Sequence, residues 1–83
     1  MRFWGKLKIE DKIIKDITAQ GGDFESAVSS ICGCLDLSKP LILEKHANEI
    51  RQFNRTVFYA DDFVENVSFD TFEIEKIVMK KKL

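Results

Sequence analysis

Two alternating segments of opposite charge stand near the two ends of the chain, and they limit the folds open to it. Residues 2–9 place Phe3, Leu7 and Ile9 on one face with Gly5, and Arg2, Trp4, Lys6 and Lys8 on the other. Successive side chains of a strand point to opposite faces, so this period of two reads as a half-buried strand. Near the other end, Phe72 and Ile74 alternate with Glu73 and Glu75, and residues 71–79 read as a second such strand. The first fifteen residues carry five basic side chains (Arg2, Lys6, Lys8, Lys12, Lys15) against Glu10 and Asp11. Residues 56–75 carry six acids (Asp61, Asp62, Glu65, Asp70, Glu73, Glu75) and no base. Opposite charges on facing strand positions favour pairing by about 0.2–1 kcal/mol each. The last strand is therefore expected beside the first. Lys6 and Lys8 should meet Glu73 and Glu75 on the outer face, while Phe3, Leu7, Phe72 and Ile74 point inward onto helices.

The intervening segments supply those helices. Glu10-Asp11-Lys12 makes a polar break, and the β-branched run 13–19 can return as the second strand of a hairpin, although Ile13, Ile14 and Ile17 also fit a helical stripe. Gly21-Gly22 ends that segment, and Asp23 is a good helix N-cap. Phe24, Ala27, Val28, Ile31 and Leu35 then recur at the spacing of one helical face. Serines and Gly33 occupy much of the other face and are weak helix formers, so this helix depends on packing. Pro40 suits the first turn of a new helix. Leu43, Ala47 and Ile50 share a face, with Phe53 at its edge, which predicts a second helix over about residues 40–54. The run 41–43 can alternatively form a short strand before a shorter helix. Thr56 to Tyr59 reads as extended, and residues 60–63 as a turn or one helical turn. Lys80 to Lys82 read as a short solvated tail. The expected architecture is a small two-layer α+β domain: an N-terminal hairpin, two helices and a C-terminal strand pairing with the first strand.

Composition narrows the function classes. A chain of 83 residues suits a single domain spanning 1–83, and 45% hydrophobic content with modest net charge is too apolar for a disordered chain. The formal charge of −1 gives no global attraction to nucleic acid or an anionic membrane. No apolar run approaches the roughly 20 residues that span a bilayer. The first residues lack the apolar stretch of a signal peptide, so a reducing cytoplasm is the expected compartment. Cys32 and Cys34 stand one residue apart on the first helix and so point in different directions, which disfavours a disulfide.

Several polar groups invite chemistry. Cys32, Cys34 and His46 suggest a metal, but structural zinc takes four ligands with cysteine pairs two to four residues apart. Packing of Cys32 at the edge of the core is the simpler reading. A Cys–His nucleophile pair lacks any supporting local signature. His46 and Glu49, one helical turn apart, could exchange protons, yet a solvated helix face with weak side-chain pairs is the expected role. Asp61, Asp62 and Glu65 could hold a hard cation, but helix capping by Asp61 or Asp62 explains the pair more simply. No catalytic residue, cofactor or metal is therefore assigned.

The face of Arg2, Trp4, Lys6 and Lys8 resembles a single-strand nucleic-acid platform, weakened by its single aromatic and its acidic neighbour. A surface tryptophan covered by lysine stems is the competing reading. Six aromatics, Trp4, Phe53, Phe58, Tyr59, Phe63 and Phe69, are many for so small a core. Some are expected at the surface, where aromatic patches mark protein contacts. Trp4, Phe58, Tyr59 and Phe63 are the candidate interaction surface.

The opening RFWGKLKI with IIKD, the middle LDLSKPLILEKHANEIRQFNRT and the end DDF with FDTFEIE resemble a family of short uncharacterised proteins from Gram-positive bacteria. The resemblance covers nearly the whole chain and implies a free-standing bacterial cytoplasmic protein. It implies no activity, cofactor or site residue. Three expectations follow in order: a protein-interaction domain that self-associates or binds a partner protein, a nucleic-acid accessory protein using the basic strand face, and a small metal or Cys/His-dependent enzyme using Cys32, Cys34, His46 and Glu49.

Overall fold

The computed structural model describes residues 2–77. Four antiparallel strands form one sheet, with two helices on one face. The strands are β1 (Arg2–Ile9), β2 (Lys12–Gln20), β3 (Arg55–Tyr59) and β4 (Thr71–Ile77), in the order β2-β1-β4-β3. The helices are α1 (Phe24–Cys34) and α2 (Glu44–Phe53). This is the expected α+β architecture with the expected hairpin and with β4 beside β1. The expected extension of the last strand to residue 79 and the Lys80–Lys82 tail lie outside the described residues.

Charge and hydrophobic period set the central register. Lys6 pairs with Glu73, Leu7 with Phe72 and Gly5 with Ile74. Phe3, Leu7, Phe58, Phe72 and Ile74 turn to the helices and form the core with Ala27, Val28, Ile31, Cys32 and Ile50. Gly5 admits α1 against the sheet, since a Cβ there would lie 2.6 Å from Ile31 Cγ2. The hairpin closes through Glu10 and Asp11, both at positive φ, as a two-residue primed turn requires. The Glu10 N–H donates to Asp70 Oδ2 at 2.8 Å, fastening the turn to the segment before β4.

α1 begins where the sequence places it. Asp23 accepts from the Ser26 N–H at 2.8 Å, which holds the Asp23 carboxyl below its ordinary range. Its end is a Schellman arrangement: the Leu37 N–H reaches the Cys32 carbonyl at 2.8 Å and the Asp36 N–H reaches Gly33 at 3.3 Å. Asp36 occupies the left-handed position there, with φ 57°.

α2 is shorter than expected. Residues 40–43 form neither the helix extension nor the alternative strand, and the helix starts at Glu44. The reason is local. His46 Nδ1 accepts from the Leu43 N–H at 3.0 Å, the role a Glu or Gln plays at the third position of a capping box, so the helix is stopped there. The Leu41 N–H is directed to the Asp62 carbonyl at 2.9 Å instead of into a helix. At the other end, Asn54 at φ 61° reverses the chain in one residue, and β3 begins immediately. Helix and edge strand are therefore held side by side.

Candidate functional site

The free edge of β3 and the adjacent side of α2 enclose a groove of about 400 Å³. Lys45, Glu49 and Phe53, spaced at i, i+4 and i+8, supply the helical wall. Arg55, Thr56, Val57 and Tyr59 supply the strand wall. Phe53 is 66% exposed and Tyr59 56%, so both aromatic rings stand in solvent at this groove. Inside it, the Thr56 hydroxyl donates to the Glu49 carboxylate and ties the two walls together.

The ladder to β4 decides which backbone groups of β3 face the groove. The Lys76 N–H donates to the Asn54 carbonyl at 2.6 Å and the Ala60 N–H to Asp70 at 3.2 Å. Hydrogen-bonded pairs alternate in an antiparallel ladder, so Thr56 and Phe58 turn their backbone groups toward β4. Arg55, Val57 and Tyr59 turn theirs toward the free edge. The Tyr59 N–H agrees with this parity, because Asp62 Oδ2 caps it from the edge side at 2.9 Å. Among the described residues, the backbone groups of Arg55 and Val57 thus lie along an open sheet edge.

The opposite edge, β2, is protected differently. A bulge interrupts its register between Lys15 and Ile13, leaving Ile14 unpaired, and Lys12, Lys15 and Asp16 stand exposed along it. Bulges and charges are the devices that discourage edge-to-edge pairing. β3 has no bulge in its register and places Val57 and Tyr59 on its outer face.

The four candidate interaction aromatics do not form one patch. Phe58 is fully buried and Phe63 nearly so, and both are core residues. Phe58 stacks between Phe24, Phe72 and His46, and Phe63 meets Phe69 edge-on at 5.3 Å. Phe69 is buried as well. Of the six aromatics, some of which were expected at the surface, Phe53 and Tyr59 are exposed, while Phe58 on β3 and Phe63 and Phe69 in the segment between β3 and β4 fill the core under the helices. Trp4 is half-buried, its indole N–H donates to Asp16 at 2.9 Å, and Lys6 Nζ sits 3.8 Å from its ring centroid. Tyr59 alone of the four is exposed, and Phe53, noted only as a surplus ring, joins it.

The basic strand face is occupied by its neighbours. Lys6 Nζ lies 3.0 Å from Glu75 and 3.6 Å from Glu73, and Lys8 lies 2.8 Å from Glu73. Arg55 reaches Glu73 at 3.4 Å. Burial pushes the Glu73 carboxyl up, but Lys8, Lys6 and Arg55 outweigh it and hold its pKa below the ordinary value. Lys6 and Glu73 are only 6% and 4% exposed although no helix covers this face. The surrounding side chains bury them.

The polar candidates are dispersed. Cys32 is buried, its thiol pushed up to about 11 by burial against a smaller lowering by Lys39, which disfavours the nucleophilic thiolate. Cys34 is exposed and free. His46 is not on a solvated face. It is fully buried, its ring 4.2 Å from that of Phe58. Burial lowers its pKa, with Lys45 adding to that, while Asp62 and Glu49 pull the other way. Its Nε2 has no hydrogen-bond partner and lies 3.7 Å from Asp62 Oδ2. The short periodicity of α2 did not reveal this, because capping and stacking draw His46 inward. Asp62 does cap, as expected, through the Tyr59 N–H, and Glu65 accepts from the Ser38 hydroxyl. Among the described residues, no three His, Cys, Asp or Glu side chains gather at metal-binding range.

No family model, curated protein or solved structure matches the chain. No helix among the described residues is long and apolar enough to cross a membrane.

Proposed function

We propose that this chain is a protein-interaction domain whose binding surface is the groove between α2 and the free edge of β3. The carrying observation is the coincidence of two exposed aromatics, Phe53 and Tyr59, with an unpaired strand edge. An edge of this kind binds extended segments by strand addition: main-chain hydrogen bonds give affinity, and flanking side chains give specificity. Aromatic residues and arginine are the groups most enriched at such contacts. A reducing compartment suits the unpaired thiols of Cys32 and Cys34. The nucleic-acid reading loses its support, since Lys6 and Lys8 are engaged by Glu73 and Glu75 and Trp4 is covered.

The test is a display library of random linear peptides panned on the wild-type protein, with counter-selection on Phe53→Lys. Enriched peptides that shift the Arg55, Val57 and Tyr59 amide resonances support the reading. If no peptide is enriched and the chain does not self-associate through this groove, the reading fails.

A further inference from the structure

We propose that the occupant of the β3 edge is a second copy of this chain, paired antiparallel through β3 about a two-fold axis at Val57. The inference rests on the groove being the interaction surface, and it names the partner. Three observations carry it.

The first is parity. Antiparallel pairing about Val57 sets Val57 opposite Val57 of the second copy and Arg55 opposite Tyr59 of the second copy. Hydrogen-bonded pairs in such a ladder must join residues that both turn their backbone groups outward. Arg55, Val57 and Tyr59 are those residues, so this register is self-consistent. It allows six bonds, of which the two from the Tyr59 N–H are held by Asp62 in each protomer. The two bonds of the Val57 pair are free without any change in the fold, and the Arg55–Tyr59 pairs form once the Asp62 carboxylate swings off the Tyr59 N–H, where the Arg55 carbonyl of the second copy would sit.

The second is side-chain complementarity. Arg55 is largely exposed at 64% of its side chain, and on the outer face it would meet the ring of Tyr59 from the other copy. A guanidinium over a phenol ring is attractive, and the two-fold places no Arg55 against Arg55. Val57 meets Val57 on the axis, an apolar pair suited to the centre of a contact. On the helical wall, Lys45 and Glu49 carry opposite charges one turn apart, so a two-fold can set each against its opposite.

The third is the asymmetry between the edges. β2 carries a bulge and three exposed charges beside its exposed Ile13 and Ile14, whereas β3 has no bulge and a single charge, Arg55. Self-association through β3 gives a continuous eight-stranded sheet in the order β2-β1-β4-β3-β3-β4-β1-β2, with the protected β2 strands at both ends.

Sedimentation velocity from micromolar to near-millimolar concentration tests the proposal, together with hydrogen exchange on the wild-type chain. A monomer–dimer equilibrium is expected, and Val57→Lys should shift it to monomer while leaving the melting temperature of the dilute protein unchanged. Two lysines facing each other on the axis oppose pairing. The Arg55 and Val57 amides should exchange at least about tenfold more slowly in concentrated than in dilute protein, and the Ile14 amide should not. Should Val57→Lys not fold, the exchange result decides alone. A wild-type monomer at all concentrations overturns the proposal, as does a dimer that survives Val57→Lys or protects β2 instead. A monomer that still binds library peptides in the groove overturns the self-partner while leaving the interaction reading standing.

Discussion

His46 should make the stability of this protein depend on pH in a window where no other side chain ordinarily titrates. It is the only histidine in the chain, so its removal leaves no imidazole background. In the unfolded chain its pKa is about 6.5. In the fold, burial lowers that value despite Asp62 at 3.7 Å. The unfolded state therefore binds the proton more readily. Stability is fully present above the unfolded value and is lost as pH falls below it toward the folded value. Proton binding by the unfolded chain over the decade below its own value bounds the loss between pH 7.5 and 5.5 at about 1 kcal/mol. His46→Gln is the matched control, since glutamine at the third helical position still accepts from the Leu43 N–H. Urea unfolding of both proteins at pH 7.5, 6.5 and 5.5 reads the difference, and carboxylates common to both cancel. His46→Leu separates the second role. It fills the ring's space but removes the Nδ1 acceptor at 3.0 Å, and it should lose about 1 kcal/mol at pH 7.5 as an N-terminal cap does. Equal pH slopes for the wild type and His46→Gln would refute the argument. So would an imidazole that titrates by NMR at or above its free value.

Further substitutions probe the other strained or crowded points. Gly5→Ala should destabilise by about 1–3 kcal/mol through overpacking against Ile31 Cγ2, and combined with Ile31→Ala it should show a coupling of about 0.5–3 kcal/mol in chemical denaturation. Simple additivity would show that α1 does not rest on β1 there. Asp36→Gly should raise stability by about 1 kcal/mol, measured as a shift in urea midpoint, because glycine takes the left-handed φ at the end of α1 without strain. Glu73→Gln should lose about 1.5–3 kcal/mol, the range of a hydrogen bond to a charged group, and because the carboxylate is nearly buried the loss should persist in high salt. A loss that vanishes with salt would mean that the three cations act as ordinary surface pairs.

The central sheet was legible because two independent signals agreed. Alternation assigned Phe3, Leu7, Phe72 and Ile74 to one face, and the sign of the charges on the other face set β4 beside β1 with Lys6 opposite Glu73. A slip of one residue would expose the apolar face and separate the charges together. α1 was equally legible, from the Asp23 cap and a stripe ending at Leu35. The start of α2 was not. Pro40 and the apolar run after it fit a helix, while the observed start depends on His46 reaching back to Leu43 and on Leu41 bonding to Asp62, a residue some twenty positions on. Such tertiary partners leave no periodic trace. Of the site, Tyr59 and Phe53 were visible as aromatics, but the groove was not, since it exists only because Asn54 reverses the chain in one residue.

The misplaced aromatics and the buried charges have one cause. A sheet with helices on a single face must satisfy its two faces by different means. The covered face takes large rings, and so Phe58, Phe63 and Phe69 sink into the core instead of marking a surface. The uncovered face has no apolar layer above it. There Lys6 and Glu73 are shielded by Trp4, Lys8, Glu75 and Arg55, with the Lys6 ammonium lying over the Trp4 ring. Charge pairing on that face closes the middle of the sheet, because its charged heads already have partners within the protomer. The open groups are thereby confined to the margins of the sheet, and of the two margins β2 is guarded by its bulge and its charges. At the β3 margin, Arg55 is the member of the charge cluster whose side chain is most exposed, and it reaches Glu73 from there.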